Sequence, residues 1–153
     1  MDAVVAQAMA RWPNVPAVYG WLALDRRGSW LIKGARVTNA ALRDFIARNY
    51  EADEHGRWYF QNGPQRVYVS LAYTPLVVHH VGDPLFDHCG RPFPGERAYL
   101  DDEGSVLIEA GGRIALLDDR DLERYAEDDA SLEPIRRTEV ASRFGFVADP
   151  VPR

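Results

Sequence analysis

Asp101-Asp102-Glu103-Gly104-Ser105-Val106-Leu107-Ile108-Glu109-Ala110-Gly111-Gly112-Arg113-Ile114 is the third writing of one pattern in this chain. An Asp, two residues and a Gly open it. An aromatic or apolar pair follows, and a second Gly with Arg-Ile or Arg-Val closes it. The earlier copies run from Asp25-Arg26-Arg27-Gly28 to Arg36-Val37 and from Asp53-Glu54-His55-Gly56 to Arg66-Val67. Asp at the first position and Gly at the fourth are what a type I turn favours, so each copy reads as a hairpin corner. Strand-like runs flank the corners: Tyr19-Gly20-Trp21-Leu22-Ala23-Leu24 before the first, then Trp30-Leu31-Ile32, Trp58-Tyr59-Phe60 and Val106-Leu107-Ile108 after the three. Asn62-Gly63 and Gly111-Gly112 supply the positive φ values of a tight two-residue turn, which makes copies two and three meanders.

Copies one and three agree further, because Leu24 to Ile32 and Leu100 to Ile108 share Leu-Asp, Gly-Ser and Leu-Ile at constant offset. A helix is expected after each. Thr38 or Asn39 can cap the first, with Leu42, Phe45, Ile46 and Tyr50 as its apolar stripe; Asp118 or Asp119 can cap a shorter second one carrying Leu122, Tyr125 and Ala126. A further helix at the N-terminus would place Val5, Ala8, Met9 and Trp12 on one face and end at Pro13. The expected fold is α+β, a mostly antiparallel sheet with two or three helices, built from a duplicated hairpin-plus-helix unit. The related stretches are residues 20–50 and 98–129, with a third hairpin at 53–72.

A chain of 153 residues with 46% hydrophobic content is near the size at which one core forms, and no linker divides it, so a single domain over 1–153 is expected. Asp2 stands where a signal peptide would be basic, and no apolar run is long enough to span a bilayer; a cytoplasmic protein with no membrane association is the expectation. One cysteine, Cys89, agrees with a reducing compartment. A net charge of -5 argues against nucleic acid as a general partner. Lys33 is the one lysine among 18 basic residues, and the sequence assigns it no function.

Three places carry candidate chemistry. From Tyr73 to Glu96 the chain gathers His79, His80, His88 and Cys89, all residue types that ligate zinc or iron, in a spacing that matches no established metal motif. Adjacent His79 and His80 on a strand point to opposite faces, so at most one joins His88 without a bend. A strand end followed by a polar loop is the plainer reading. The same stretch, Gly82-Asp83-Pro84-Leu85-Phe86-Asp87 through Gly90-Arg91-Pro92-Phe93-Pro94-Gly95, is a long connection, and Leu85, Phe86, Arg91 and Phe93 on it either pack inward or meet a partner. The third place follows from pairing across the Asn62-Gly63 turn, which sets Tyr59 against Arg66 and Arg57 against Tyr68 on one face. Trp58, Phe60, Val67 and Val69 take the core side. An Arg/Tyr face of that kind either binds an anionic ligand or RNA, or is a self-supporting surface. Leu107 with Leu116 and Ile108 with Ala115 make both faces of the third hairpin apolar, which places it in mid-sheet.

Other groups read as structure. Asp118-Asp119-Asp121 suits a helix N-terminus, and Glu127-Asp128-Asp129 suits a solvated helix end. Trp12, Trp21, Trp30 and Trp58 fall on predicted apolar faces and read as core. There is no phosphate loop, dinucleotide fingerprint, nucleophile elbow or His-Glu metalloprotease helix, and no cofactor is implied.

The stretch Leu24-Asp25-Arg26-Arg27-Gly28-Ser29-Trp30-Leu31-Ile32-Lys33-Gly34, with Leu42, Phe45, Asp53, Gly56, Trp58-Tyr59-Phe60, Thr74-Pro75 and Val77-Val78, resembles small proteobacterial proteins of unknown function. In those, a strand carrying Asp-Gly-Trp precedes a helix, a Gly-turn hairpin and a buried closing strand. The resemblance covers about half the chain; Asn62 to Val69 and Arg143-Phe144-Gly145-Phe146-Val147 look like marks of a narrower subgroup. It implies a soluble bacterial α+β protein and no activity. The expectation is a non-enzymatic protein-interaction or ligand-binding domain, with the loop from Asp83 to Gly95 contacting an unknown protein partner or a second copy as a homodimer. A metal-binding protein or metal-dependent enzyme is the alternative.

Overall fold

Four corners of the chain, one more than the sequence pattern marked, are built by an Asp that folds its carboxylate back onto its own turn. The structure is a computed structural model describing residues 3, 12–126 and 131–152. The helical face expected at Val5, Ala8 and Met9, and the cluster Glu127-Asp128-Asp129, lie outside the described residues.

At Asp53, Oδ1 accepts the N–H groups of His55 and Arg57, both at 2.9 Å, while Asp53 N–H donates to Arg57 O at 2.8 Å. Asp101 Oδ1 accepts Glu103 N–H at 2.9 Å and Ser105 N–H at 2.8 Å. Asp25 Oδ1 accepts Ser29 N–H at 2.8 Å. The fourth corner is Asp87-His88-Cys89-Gly90, where Oδ1 accepts Cys89 N–H at 2.9 Å and Arg91 N–H at 3.0 Å. Each turn ends on a glycine at positive φ, 83° at Gly28, 76° at Gly56, 86° at Gly90 and 85° at Gly104. That left-handed fourth residue lets a type I turn join two antiparallel strands through a bulge.

The chain divides into two compact units, residues 1–25, 29–72 and 147–153 in one and residues 26–28 and 73–146 in the other. Unit one is a six-stranded sheet of β1 (Ala17–Leu24), β2 (Trp30–Ile32), β3 (Ala35–Arg36), β4 (Tyr50–Ala52), β5 (Trp58–Asn62) and β6 (Gln65–Leu71), in the order β3-β2-β1-β6-β5-β4. Its helix α1 (Ala40–Arg48) is capped by Asn39, whose side chain accepts Leu42 N–H. Leu42, Ile46 and Ala47 face inward, and Phe45 sets its ring edge-on to Phe60 at 5.5 Å. Tyr50 is not on the helical stripe: Asn49 closes α1, and Tyr50 opens β4 with a buried ring.

Unit two is a second six-stranded sheet of β7 (Leu76–His80), β8 (Leu85–Asp87), β9 (Arg97–Asp101), β10 (Val106–Ala110), β11 (Arg113–Leu117) and β12 (Leu132–Ile135), in the order β12-β9-β10-β11-β7-β8. Asp118 caps the helix expected after β11, which is a 3-10 helix over Asp119–Tyr125. A short helix α2 (Val140–Phe144) ends at Gly145. Leu107 pairs with Leu116 and Ile108 with Ala115, all buried, as the third hairpin's pattern requires.

The fold is therefore α+β with two mixed sheets in which antiparallel pairing predominates. The two units share a connection scheme. In each, the first strand pairs antiparallel with the second and parallel with the last strand of a meander: β1 with β2 and β6, β7 with β8 and β11. By position in the sheets, the turn at Asp101 corresponds to the one at Asp53, whereas the sequence match couples residues 98–129 to 20–50.

One hairpin departs from its expected register. Asn62 stays in β5 opposite Gln65, and Gly63-Pro64 form the turn, so Tyr59 faces Tyr68 and Gln61 faces Arg66. Gly63 at φ 57° followed by a proline ring that fixes a negative φ is the order a type II′ corner demands. A slip of two residues leaves the faces unchanged. Arg57, Tyr59, Arg66 and Tyr68 still share one side.

The Asp turn at Asp101 is 4% exposed and takes a third donor, Tyr73 Oη, at 2.8 Å on its other oxygen. Removing the carboxylate by Asp101→Ala strands two backbone N–H groups and a hydroxyl, and urea unfolding is expected to show a loss of about 2–4 kcal/mol. Asp101→Asn, which keeps an accepting Oδ1, and Tyr73→Phe are each expected to lose about 1 kcal/mol.

Candidate functional site

The His/Cys segment is distributed by the fold rather than gathered. His79 and His80 end β7, paired with Phe86 and Leu85 of β8. His80 Nδ1 lies 2.8 Å from Asp83 O and Nε2 lies 2.9 Å from Tyr125 Oη. A carbonyl can only accept, so Nδ1 carries the proton and Nε2 accepts from the tyrosine hydroxyl. Asp121 accepts the backbone N–H of His80 at 2.9 Å. His88 and Cys89 are the two central residues of the Asp87 turn. His88 Nδ1 accepts Val77 N–H at 3.2 Å, and its Nε2 is closed off from solvent. Among the described residues no three His, Cys, Asp or Glu side chains are placed to hold a metal ion.

Burial sets the chemistry of this turn. Desolvation pushes the His88 imidazole down to about 3, leaving it neutral at physiological pH. Desolvation, with the Asp87 carboxylate beside it, pushes the Cys89 thiol up to about 12, so it is not a thiolate nucleophile. His88 also backs onto Gly28, where an added Cβ would lie 2.6 Å from His88 Cβ.

The Arg/Tyr face of unit one is assembled as expected, but from buried rings. Tyr59 and Tyr68 are each 4% exposed. Arg57 Nε binds Asp53 Oδ2 at 2.8 Å, and its guanidinium lies 4.6 Å from the centroid of Tyr68, which stacks on Tyr19 at 4.8 Å. Arg66 covers Tyr59 at 4.3 Å, and Tyr59 Oη donates to Glu51 at 2.6 Å. That hydrogen bond and burial push the Tyr59 hydroxyl up to about 12. Asp53 is held below the usual carboxylate range: burial pulls the other way, and the N–H groups of Arg57 and His55 with the Arg57 guanidinium overcome it. The cations on this face are already matched to carboxylates and rings.

The long connection is more ordered than a loop. β8 pairs back on β7, Phe86 bridges to Pro92, and Phe93 N–H donates to Leu85 O at 2.9 Å. Phe93 plugs the core of unit two at 3% exposure, with the Arg113 guanidinium 5.9 Å from its ring. Leu85 and Phe86 are half-buried, and Arg91 is exposed. Leu85 and Phe93 belong to the wall of a groove of about 710 Å³. Pro84, Pro92 and Pro94 continue the wall, and Ile108 of β10 forms the floor. Gly95 passes close above it: an added Cβ would come within 2.8 Å of Ile108 Cγ2. The polar rim carries Asp83, Glu96 and Glu133 against one cation, Arg97. The sequence reading reached the loop wall through the length of the connection and its apolar residues; of the four it named, Leu85 and Phe93 line the groove and Phe86 and Arg91 do not. It missed Ile108, Tyr125 and Glu133, which come from β10, the 3-10 helix and β12, and no local pattern marks them.

A family model described as "Protein of unknown function (DUF2946)" matches residues 1–151. The chain belongs to that family. Its fold is similar to the crystal structure of a DUF1285 family protein from Silicibacter pomeroyi DSS-3, with a TM-score of 0.56 and 18% identity over 83% of this chain and 84% of that one. A DUF1285 family protein from Shewanella baltica OS155 is similar with a TM-score of 0.52 and 14% identity over 70% of this chain and 91% of that one. At these identities the likeness shows the fold alone. No curated protein matches the chain. The resemblance to proteins of unknown function thus holds along nearly the whole chain, and no described helix is long and apolar enough to cross a membrane.

The His88 shift gives a sign to stability against pH. The unfolded chain protonates this imidazole below about 6.5 and the folded one only near 3, so the contribution is full above 6.5 and is lost as pH falls toward 3. His88→Asn keeps an acceptor for Val77 N–H and removes the titration. Between pH 7 and pH 4 the unfolding free energy of the natural chain is expected to fall by about 2–3 kcal/mol more than that of the variant, read by urea unfolding at each pH.

Proposed function

We propose that this chain is a protein-interaction module whose second unit receives a cationic, apolar-bearing segment of another protein. The observation that carries the reading is the groove of about 710 Å³, with aliphatic and proline walls below a rim of three carboxylates and one guanidinium. Ligand sites combine an apolar body with a few polar groups that fix orientation, and this groove has that make-up. Its rim selects for Lys or Arg on the visitor through charge complementarity. A second copy of the chain, at net charge -5, is the less suited occupant. The prolines stiffen the wall, which lowers the ordering cost on binding. A single cysteine whose thiol stays protonated suits a reducing compartment such as the cytoplasm.

The test is a labelled decapeptide alternating Arg with Leu and Pro, titrated by fluorescence anisotropy. Saturable binding is expected, weakened about threefold by each of Asp83→Asn and Glu133→Gln and by added salt. Equal binding of the same peptide with Glu in place of Arg, or no change in the double variant, would overturn the reading. A mass that doubles with concentration in light scattering, abolished by Leu85→Asp, would replace it with self-association.

A further inference from the structure

Unit one holds a separate pocket that the groove does not explain. It measures about 240 Å³ and lies between Trp12, Trp21, Ile32 and Leu42, with Arg36 and Thr38 at its polar end. Trp12 meets Trp21 edge-to-face at 6.2 Å, so two indoles make its aromatic wall. The polar end adjoins the N-terminus of α1, where Asn39 caps the helix and the backbone dipole is positive.

Three observations converge on a negative charge. Trp12 is 6% exposed, and among the described residues its indole N–H has no acceptor, a donor left unsatisfied at a cost that an arriving acceptor would relieve. Arg36 is an exposed cation on the lining. Lys33 is the third. Among the described residues it is the one non-glycine at positive φ, 50°, in the two-residue turn between β2 and β3 where glycine or asparagine is the unstrained choice. Its backbone N–H donates to Trp21 O at 2.9 Å, and its ammonium stands 4.2 Å from the centroid of the Trp21 ring. The one lysine in the chain is thus held in an unfavourable backbone conformation with its charge on the Trp21 ring, whose indole lines the pocket although Lys33 itself does not.

We propose that this pocket binds a small carboxylate with an apolar body. The body lies between the two indoles and the Ile32 and Leu42 side chains. The carboxylate takes the Trp12 indole N–H, the Thr38 hydroxyl and the Arg36 guanidinium, with Lys33 adding charge across Trp21. A volume below the usual range for drug-sized ligands fits a ligand of that scale. The site lies within unit one and is independent of the groove.

The probe is octanoate, followed by tryptophan fluorescence and calorimetry at pH 7, with 1-octanol and octylamine as controls. Saturable octanoate binding is expected, with octanol about tenfold weaker and octylamine weaker still. Arg36→Gln should weaken octanoate about tenfold and leave octanol unchanged. Trp12→Phe, which keeps a ring and removes the N–H, should do the same to a smaller extent. Lys33→Gly supplies the residue the turn prefers, so it should raise the melting temperature while weakening octanoate. Octylamine binding as well as octanoate, no saturation by octanoate, or unchanged octanoate affinity in both Arg36→Gln and Lys33→Gly would overturn the proposal.

Discussion

A carboxylate oxygen that accepts two backbone N–H groups of its own turn is the interaction on which the rest of this structure depends. The corners at Asp53, Asp87 and Asp101 use it in full, and Asp25 uses it for Ser29. A charged acceptor makes these bonds stronger than a backbone turn alone would have, and it allows the carboxylate to sit inside the protein. Asp87 is 0% and Asp101 4% exposed. The second oxygen then ties the corner to its surroundings: Arg57 and Tyr68 at Asp53, Tyr73 at Asp101, and the Arg113 guanidinium at 3.8 Å from Asp87. Each corner therefore reverses the chain and fixes the strand it launches.

Why the sequence showed three of these corners and hid the fourth is a matter of what fills the middle. Arg26-Arg27, Glu54-His55 and Asp102-Glu103 are unremarkable turn residues, so the Asp and Gly at the ends stand out. His88-Cys89 are residues with metal and nucleophile chemistry of their own, and they fill the middle of the Asp87 to Gly90 frame. The frame decides their fate. It buries the imidazole against Val77, where Nδ1 accepts the Val77 N–H, and it desolvates the thiol.

The hairpins show what local sequence does and does not specify. Gly111-Gly112 can both take positive φ, 59° and 78°, and the register read from them matches the structure. At Asn62-Gly63-Pro64 two turn readings compete, and the proline, which cannot donate within a ladder, moves the corner by one residue. The faces were still legible, because a shift of two preserves side-chain alternation. Tyr50 was misplaced because helical spacing alone continued past Asn49, where the C-cap and the start of β4 lie beyond what periodicity reports. On the candidate sites the limit is different in kind. Phe93 and the proline wall lie within one stretch, while Ile108 and Glu133 reach the same groove through sheet pairing. Trp12 and Trp21 read as core on their apolar faces, and only the fold shows the pocket they share with Arg36.

Hydrogen exchange at single amides tests the turn account most directly. Arg57, Arg91 and Ser105 are the residues whose N–H groups close the Asp53, Asp87 and Asp101 corners. If the carboxylates hold the fold, each of these amides exchanges only through unfolding of its own unit, Arg91 and Ser105 of unit two with equal free energies, and none responds to added zinc. An Arg91 amide that exchanges as fast as an open loop, and slows only when zinc is present, would contradict the account and return the His88-Cys89 segment to metal chemistry.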